Sequence, residues 1–184
     1  GVVHDPKDVR EYADIVLEEG RRLSSMVDQI MLFAEAESGR RHYDLKPVDV
    51  VRVVAAAIET VSTPSEPSVE IRTSVPSDTP AVLADETALR HCLQNLVSNA
   101  MKHGRHDGVA RVSIDAATGE SGRTLRIHIA DEGAGIDVAD RPHLFEAFYR
   151  GSNVSRTPGN GLGLHLVKKM IEGQNGSVRV SSDP

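Results

Sequence analysis

The chain has 184 residues, 39% of them hydrophobic, with no Trp, a single Cys and a formal net charge of −6. That length holds one domain of ordinary size plus an appendage, and the acidic balance excludes broad nucleic-acid binding. No apolar run approaches the ~20 residues needed to span a bilayer, no signal-peptide pattern opens the chain, and Cys92 has no internal disulfide partner, which predicts a reducing, cytoplasmic setting.

From Asp8 to Glu37 the pattern is helical. Val9, Val16, Leu23 and Ile30 recur every seven residues, flanked by Tyr12, Ala13, Met26, Val27, Phe33 and Ala34, which is the stripe of a bundle or coiled coil. Thirty residues make a rod ~45 Å long, and a rod with one apolar face needs a partner helix. No second helix of matching length follows, so the partner is expected outside this chain. Ser38-Gly39 ends the rod, and 40–47 reads as a linker between domains. Val48–Ser62 returns to helical period, with Val51, Val54, Ala55 and Ile58 as the expected buried set. Val69–Val75 and Ala81–Ala84 read as strands, and Asp85–His103 as a helix. Val109–Ala116 and Thr124–Ala130 alternate and form an expected hairpin. A stretch without pattern follows Asp131, then a helix at Leu162–Glu172 and a strand at Ser177–Ser181. This order predicts an α+β sandwich with helices on one face of a mixed sheet.

Three stretches carry polar groups in patterns that suit chemistry. In the helix Asp85–His103, Asp85 is a good N-cap, and Leu89, Cys92, Leu93, Leu96, Val97 and Ala100 form one apolar stripe. Asn95, Asn99 and Lys102 fall on its flank within roughly 60° of arc at ~100° per residue. Such amides face water, or aim an oxygen at a metal or phosphate, and the helix alone leaves both readings open. The second stretch is DEGAGI, Asp131–Ile136, directly after a hydrophobic strand. Gly133 and Gly135 let the backbone turn sharply beside a flat ligand. Asp131, expected to be half-buried, offers acceptors to the exocyclic amine of adenine, a donor guanine lacks at that position. The third is GNGLGL, Gly159–Leu164, opening a helix whose free N–H groups and dipole suit phosphate. Between the last two, Leu144, Phe145 and Phe148 form an expected apolar cluster at the root of a mobile segment, Gly151–Asn160, and Arg150 could reach a phosphate. His42, His91, His106, His128, His143 and His165 are scattered without metal spacing and read as structural or surface residues.

The ordered set NLVSNAMKH, DEGAGI, LFEAFYR and GNGLGL resembles the asparagine, first glycine, phenylalanine and second glycine boxes of sensor histidine kinases. The resemblance runs from about Tyr12 to Ser181. It implies a Bergerat-type ATP-binding fold at 48–184: a two-layer α/β sandwich of the gyrase, Hsp90 and MutL type, preceded by a long amphipathic helix. Residues 1–39 look like the second helix of a dimerisation and phosphotransfer hairpin. The implied cofactors are ATP and Mg²⁺. By this resemblance Asn95, Asn99 and Lys102 form the catalytic set, with Asn99 the metal ligand and the other two near the phosphates. His103 takes a place often held by an aromatic residue, Asp131 receives the adenine amine, and Gly133, Gly135 and Ile136 belong to the base pocket. Phe145, Phe148 and Arg150, then Gly159, Gly161, Leu162, Gly163 and Leu164, complete the nucleotide site. The implied partners are a phosphoacceptor helix of the same or a partner protomer and the receiver domain of a response regulator. The full-length protein is expected to be a homodimer, with an anchor in the inner membrane left open.

The chain departs from the family pattern in lacking the acceptor helix, in reading Gln174-Asn175-Gly176 where Gly-Gly is usual, and in stopping at Pro184 before a further strand. Self-phosphorylation is therefore not expected. His4, followed by Asp5, is disfavoured as an acceptor because Pro6 comes next. Gyrase-like relatives carry a Glu as base for water where this chain has Asn95, which cannot take a proton. A neutral imidazole needs no such base. Transfer to His is thus favoured over two alternatives, a Bergerat ATPase and a non-catalytic nucleotide-binding module.

Overall fold

The computed structural model describes residues 6–39, 41–61, 69–106, 108–119, 121–151 and 159–182. His4 lies outside them, as does most of the segment expected to be mobile. Two units divide the chain, Gly1–Arg40 and Arg41–Pro184. The first holds one helix, α1 (Pro6–Glu37), which continues through Gly20. Pro6 fits its first turn, where a missing N–H costs nothing. The seven-residue series stays at the surface: Val9, Val16, Leu23 and Ile30 are 54%, 69%, 62% and 50% exposed.

In the second unit, β1 (Lys46–Val48) begins at the end of the segment read as linker, 40–47. It pairs antiparallel with β3 (Val82–Ala84), Lys46 opposite Ala84. Between them come α2 (Val50–Val61) and β2 (Val69–Ser74). Helix α3 (Glu86–His103) follows, then β4 (Arg105–His106), β5 (Val109–Thr118) and β6 (Leu125–Asp131). A 3₁₀ turn at Arg141–His143 and α4 (Gly163–Glu172) complete the order. β5 is the spine of a four-stranded sheet. β2 runs parallel along one edge, while β6 and β4 pair antiparallel along the rest of it. The expected hairpin forms, with Thr118 opposite Leu125. Helices α2 and α3 cover one face of the sheet, giving two layers. Val53, Val54 and Ala57 of α2 meet Leu89, Leu93 and Val97 of α3 over Val112 and Ile114 of β5.

Three expectations need correction. The buried face of α2 is Val50, Val53, Val54 and Ala57, while Ala55 is exposed; the run VVRVVAAA supports two faces, and contact with α3 selects between them. The two-residue strand β4 was not expected, since so short a segment has no period to read. Ser177–Ser181 forms no strand: alternation needs a partner edge, and among the described residues none pairs with it.

Helix α3 is buried on two sides. Beyond the sheet core, Ala88 and Cys92 are buried, as are Leu162, Leu166, Val167 and Met170 at and within α4, outside the sheet cluster. The Cys92 Sγ lies 3.9 Å from both the Val167 carbonyl oxygen and the Met170 Sδ. Burial pushes its thiol up to about 12, so it behaves as a small core residue.

The start of α3 is fixed by Asp85. Its Oδ1 accepts from the Ala88 N–H at 2.9 Å and its Oδ2 from the Asp44 N–H at 3.1 Å. Its own N–H donates to Gln174 Oε1 at 2.6 Å. Burial alone would push the Asp85 carboxyl up; the N–H groups of Ala88, Asp44 and Thr87, with the Arg41 charge, hold it below its ordinary value. Asp85→Ala should lower stability by about 1 kcal/mol at neutral pH in urea unfolding. A depressed carboxylate stabilises only while ionised in the native state. The gap to the unaltered chain should therefore shrink as pH falls below the ordinary value of 3.8 and through the lower native value.

Candidate nucleotide site

The C-terminal half of α3 forms one wall. Asn95 and Asn99 are half-buried, one turn apart; Lys102 and His103 are exposed at its last turn. The Asn95 Nδ2 donates to the His91 carbonyl at 3.1 Å, which leaves its Oδ1 facing α4. Among the described residues the Asn99 amide makes no hydrogen bond. Helix α4 begins over these amides: a Cβ at Gly163 would lie 3.0 Å from Asn95 Oδ1 and 3.9 Å from Asn99 Nδ2. A side chain as small as hydrogen leaves the Asn95 amide undisturbed here, whereas a methyl group would press it aside by a few tenths of an ångström.

The first glycine box joins the far end of the same helix. Asp131 pairs with Val112, so its side chain points to the helix-bearing face of the sheet, in line with Ile129 and Ile127. A Cβ at Gly104 would lie 2.6 Å from Asp131 Cβ, and one at Gly133 would lie 2.2 Å from the His103 carbonyl oxygen. Two glycines thus let the end of β6 and the turn after it press against the end of α3. Asp131 Oδ1 accepts from the Gly133 N–H at 3.0 Å. Contrary to the expectation of half-burial, Asp131 is exposed: it is the last residue of β6, and α3, which covers the sheet, has ended at His103. Gly135 has a φ of 72°. Half-buried Ile136 donates its N–H to Ser182 Oγ at 2.9 Å.

His103 marks where charges converge. Desolvation pushes its imidazolium down first, Lys102 and Arg150 push the same way, and Asp131 opposes them. Lys102, Asp131 and exposed Arg150 are therefore within electrostatic reach of one ring.

The phenylalanine box splits. Phe145 is half-buried, its carbonyl oxygen 3.0 Å from His165 Nδ1 and its ring 6.0 Å from the Lys168 ammonium. Phe148 does not join Leu144 and Phe145 in an apolar cluster. Its φ is 66°, its N–H donates to the Gly161 carbonyl at 3.0 Å, and its ring is 62% exposed. The hydrogen bond to Gly161 holds it on the turn, outside the core. Within the second glycine box, Gly161 has a φ of 72°, and a Cβ there would lie 2.5 Å from the Phe148 carbonyl carbon. A Cβ at Gly159 would meet nothing within 4 Å among the described residues. Leu162 is buried with Leu166 and Met170, and Leu164 is half-buried.

Sequence reasoning missed Gly104, although a Gly just past a helix is a legible cap signal. It also missed Asp140 and Tyr149, whose hydrogen bond is described below, and Ser182; no periodicity links these to the site.

Residues 84–184 match the family described as histidine kinase-, DNA gyrase B- and HSP90-like ATPases. The chain belongs to this ATPase family. Among its relatives, the sensor-like histidine kinase SenX3 of Mycobacterium tuberculosis is 34% identical over 183 residues, covering 98% of this chain and 43% of that protein. The chain thus spans less than half the length of that curated relative. The crystal structure of full-length ShkA in complex with AMPPNP is similar at a TM-score of 0.73 and 30% identity, over 89% of this chain and 34% of that one. The mycobacterial sensor histidine kinase MprB is similar at a TM-score of 0.59 and 27% identity, over 71% of this chain and 80% of that one. The family's ATP-binding unit therefore coincides with the layer that carries the glycine boxes and the asparagine pair.

The glycines give a sharp contrast. Gly161→Ala should cost about 1–3 kcal/mol of stability, from the left-handed backbone and the clash with Phe148. Gly159→Ala should stay within about 0.5 kcal/mol of the unaltered chain. Urea unfolding of both variants would check this.

Proposed function

We propose that this chain is the ATP-binding catalytic core of a sensor histidine kinase, transferring the γ-phosphate of ATP to a His on a phosphoacceptor helix outside this chain. The observation that carries the reading is the approach of Gly163 to Asn95 and Asn99. It brings two kinds of phosphate-binding group to one place, the side-chain amides of α3 and the first turn of a helix. The adenine end is assigned to Asp131, with Gly133, Gly135 and Ile136 beside the base. Lys102, Arg150, Gly159, Gly161 and Leu164 belong to the phosphate side, with His103, Phe145 and Phe148 at its margin. Leu162 supports the turn from the core.

Asn99 suits a Mg²⁺ that arrives with the nucleotide. Its amide is half-buried and makes no hydrogen bond among the described residues, and an amide oxygen is the hard donor this ion takes. Among the described residues no three His, Cys, Asp or Glu side chains cluster to hold a metal on their own. One protein ligand is enough when phosphate oxygens and water complete the shell; bound there, Mg²⁺ would neutralise charge on the triphosphate. In the transfer itself, the lone pair of a neutral imidazole forms the N–P bond as the bond to the ADP oxygen breaks. Asn95 carries no base to activate water, which favours this transfer over hydrolysis. Helix α1, with its exposed seven-residue series, suits the second helix of a dimerisation hairpin, with 40–47 as the linker to the catalytic domain at 48–184. A homodimeric parent with a response regulator as the next phosphate acceptor follows from the same reading.

Titration calorimetry should show binding of ATP or ADP with Mg²⁺ and little binding of GTP. Asp131→Ala should abolish adenine binding while the domain stays folded by circular dichroism. Equal affinity for GTP would remove the role given to Asp131.

Phosphotransfer should be followed with γ-labelled ATP and a separate fragment carrying the acceptor helix. Asn99→Ala should reduce Mg²⁺-dependent labelling of that fragment on the order of 100-fold, while Asn95→Ala affects the metal dependence less. Unchanged labelling with Asn99→Ala would overturn its metal role. Steady ATP turnover without any acceptor would favour the ATPase reading instead.

A further inference from the structure

Among the described residues Asp140 is the one charged residue that is buried as a whole, at 7% exposed. It lies just before the 3₁₀ turn and outside every motif described above. A carboxylate taken out of water needs strong donors, and Tyr149 supplies one: its hydroxyl donates to Asp140 Oδ1 at 2.7 Å. The same bond raises the Tyr149 hydroxyl above its ordinary pKa, because the carboxylate holds its proton. The tyrosine ring is also set against His143, with centroids 5.4 Å apart.

The two residues stand on a path between the glycine turns. On the Asp140 side, the neighbouring Arg141 donates through Nε to the Ile136 carbonyl at 3.2 Å, in the first glycine box. On the Tyr149 side, the neighbouring Phe148 donates its N–H to the Gly161 carbonyl at 3.0 Å, in the second. The Tyr149 carbonyl oxygen itself would lie 2.7 Å from a Cβ at Gly161. Arg150, whose charge reaches His103, is the next residue. The Tyr149–Asp140 hydrogen bond is thus a direct side-chain link on the path from the base turn to the phosphate turn, beside the backbone bonds that run through His143 and Glu146. An apolar pair of equal volume would pack this loop without the cost of burying a charge. What a charge-assisted bond adds is direction.

We propose that Asp140 and Tyr149 form a positioning pair whose hydrogen bond sets Arg150 and the Gly161 turn against the phosphates of the nucleotide. The pair touches no substrate; it acts through the backbone on either side of it. The proposal rests on the nucleotide site proposed above.

The test uses the full chain, with ATP·Mg²⁺ and adenosine as separate probes in calorimetry and circular dichroism as the check on folding. Tyr149→Phe keeps the ring and removes the donor. It should weaken ATP about tenfold and adenosine less than twofold. Asp140→Asn keeps an acceptor oxygen but not the charge, and should weaken ATP about threefold. The loss in the double variant should fall short of the product of the two single losses, because the two changes share one interaction. Unchanged ATP affinity in Tyr149→Phe, or equal losses for ATP and adenosine, would overturn the pair. Should Tyr149→Phe fail to fold, Asp140→Asn decides by the same two probes. Failure of the unaltered chain to bind ATP would instead remove the nucleotide site, and the pair with it.

Discussion

Helix α3 is held from two sides, and the site depends on that constraint. Leu89, Leu93 and Val97 face the sheet and α2, while Cys92 and Ala88 face α4. At about 100° per residue Asn95 and Asn99 fall beside Ala88 and Cys92 on the α4-facing side of the helix, half-buried under the start of α4. Their amides are held at fixed height because neither core can shift without opening a cavity, and cavities in close-packed interiors are costly. The cap at Asp85 adds a longitudinal stop. Its contacts to Asp44 and Gln174 tie the helix start to segments from both ends of the domain.

Contact distances, more than flexibility, explain the glycines around this helix. Gly104 and Gly133 let two chain segments touch at the end of α3, and Gly163 lets α4 start against the asparagines. Gly161 is different: its left-handed backbone turns the chain back to receive the Phe148 N–H. The phenylalanine that makes this bond is itself left-handed, an uncommon state for a bulky side chain. Two left-handed residues joined by one hydrogen bond form the base of the segment between the phenylalanine and second glycine boxes.

Much of this was legible in the sequence. The Asp85 cap, the α3 stripe and the direction of Leu125, Ile127 and Ile129 follow from local rules, since each depends on residues within a few positions. The four motifs carried the family in their order. What failed depended on distant partners. The run VVRVVAAA has two apolar faces, and contact with α3 decides between them. Ser177–Ser181 alternates like a strand but meets no edge. Asp131 is exposed because α3 ends beside it, which no feature of DEGAGI records. Asp140 and Tyr149 belong to one hydrogen bond across a loop, and nothing in their spacing links them.

The parallel pairing of β2 with β5 has a consequence for how the domain comes together. Val69 meets Ala110 across roughly 40 residues of chain that include β3 and all of α3. Closing a loop of that length carries an entropy cost that is met before the pairing returns any energy. On the other edge, β6 joins β5 through a short turn in which Gly119 and Thr124 are hydrogen-bonded, so that pairing is local and cheap to start. Local pairings form faster than distant ones. The strand that ends at Asp131 therefore has its place early, and the β2 edge waits until α3 has been laid across the sheet. The order of assembly runs from the β5–β6 hairpin outward.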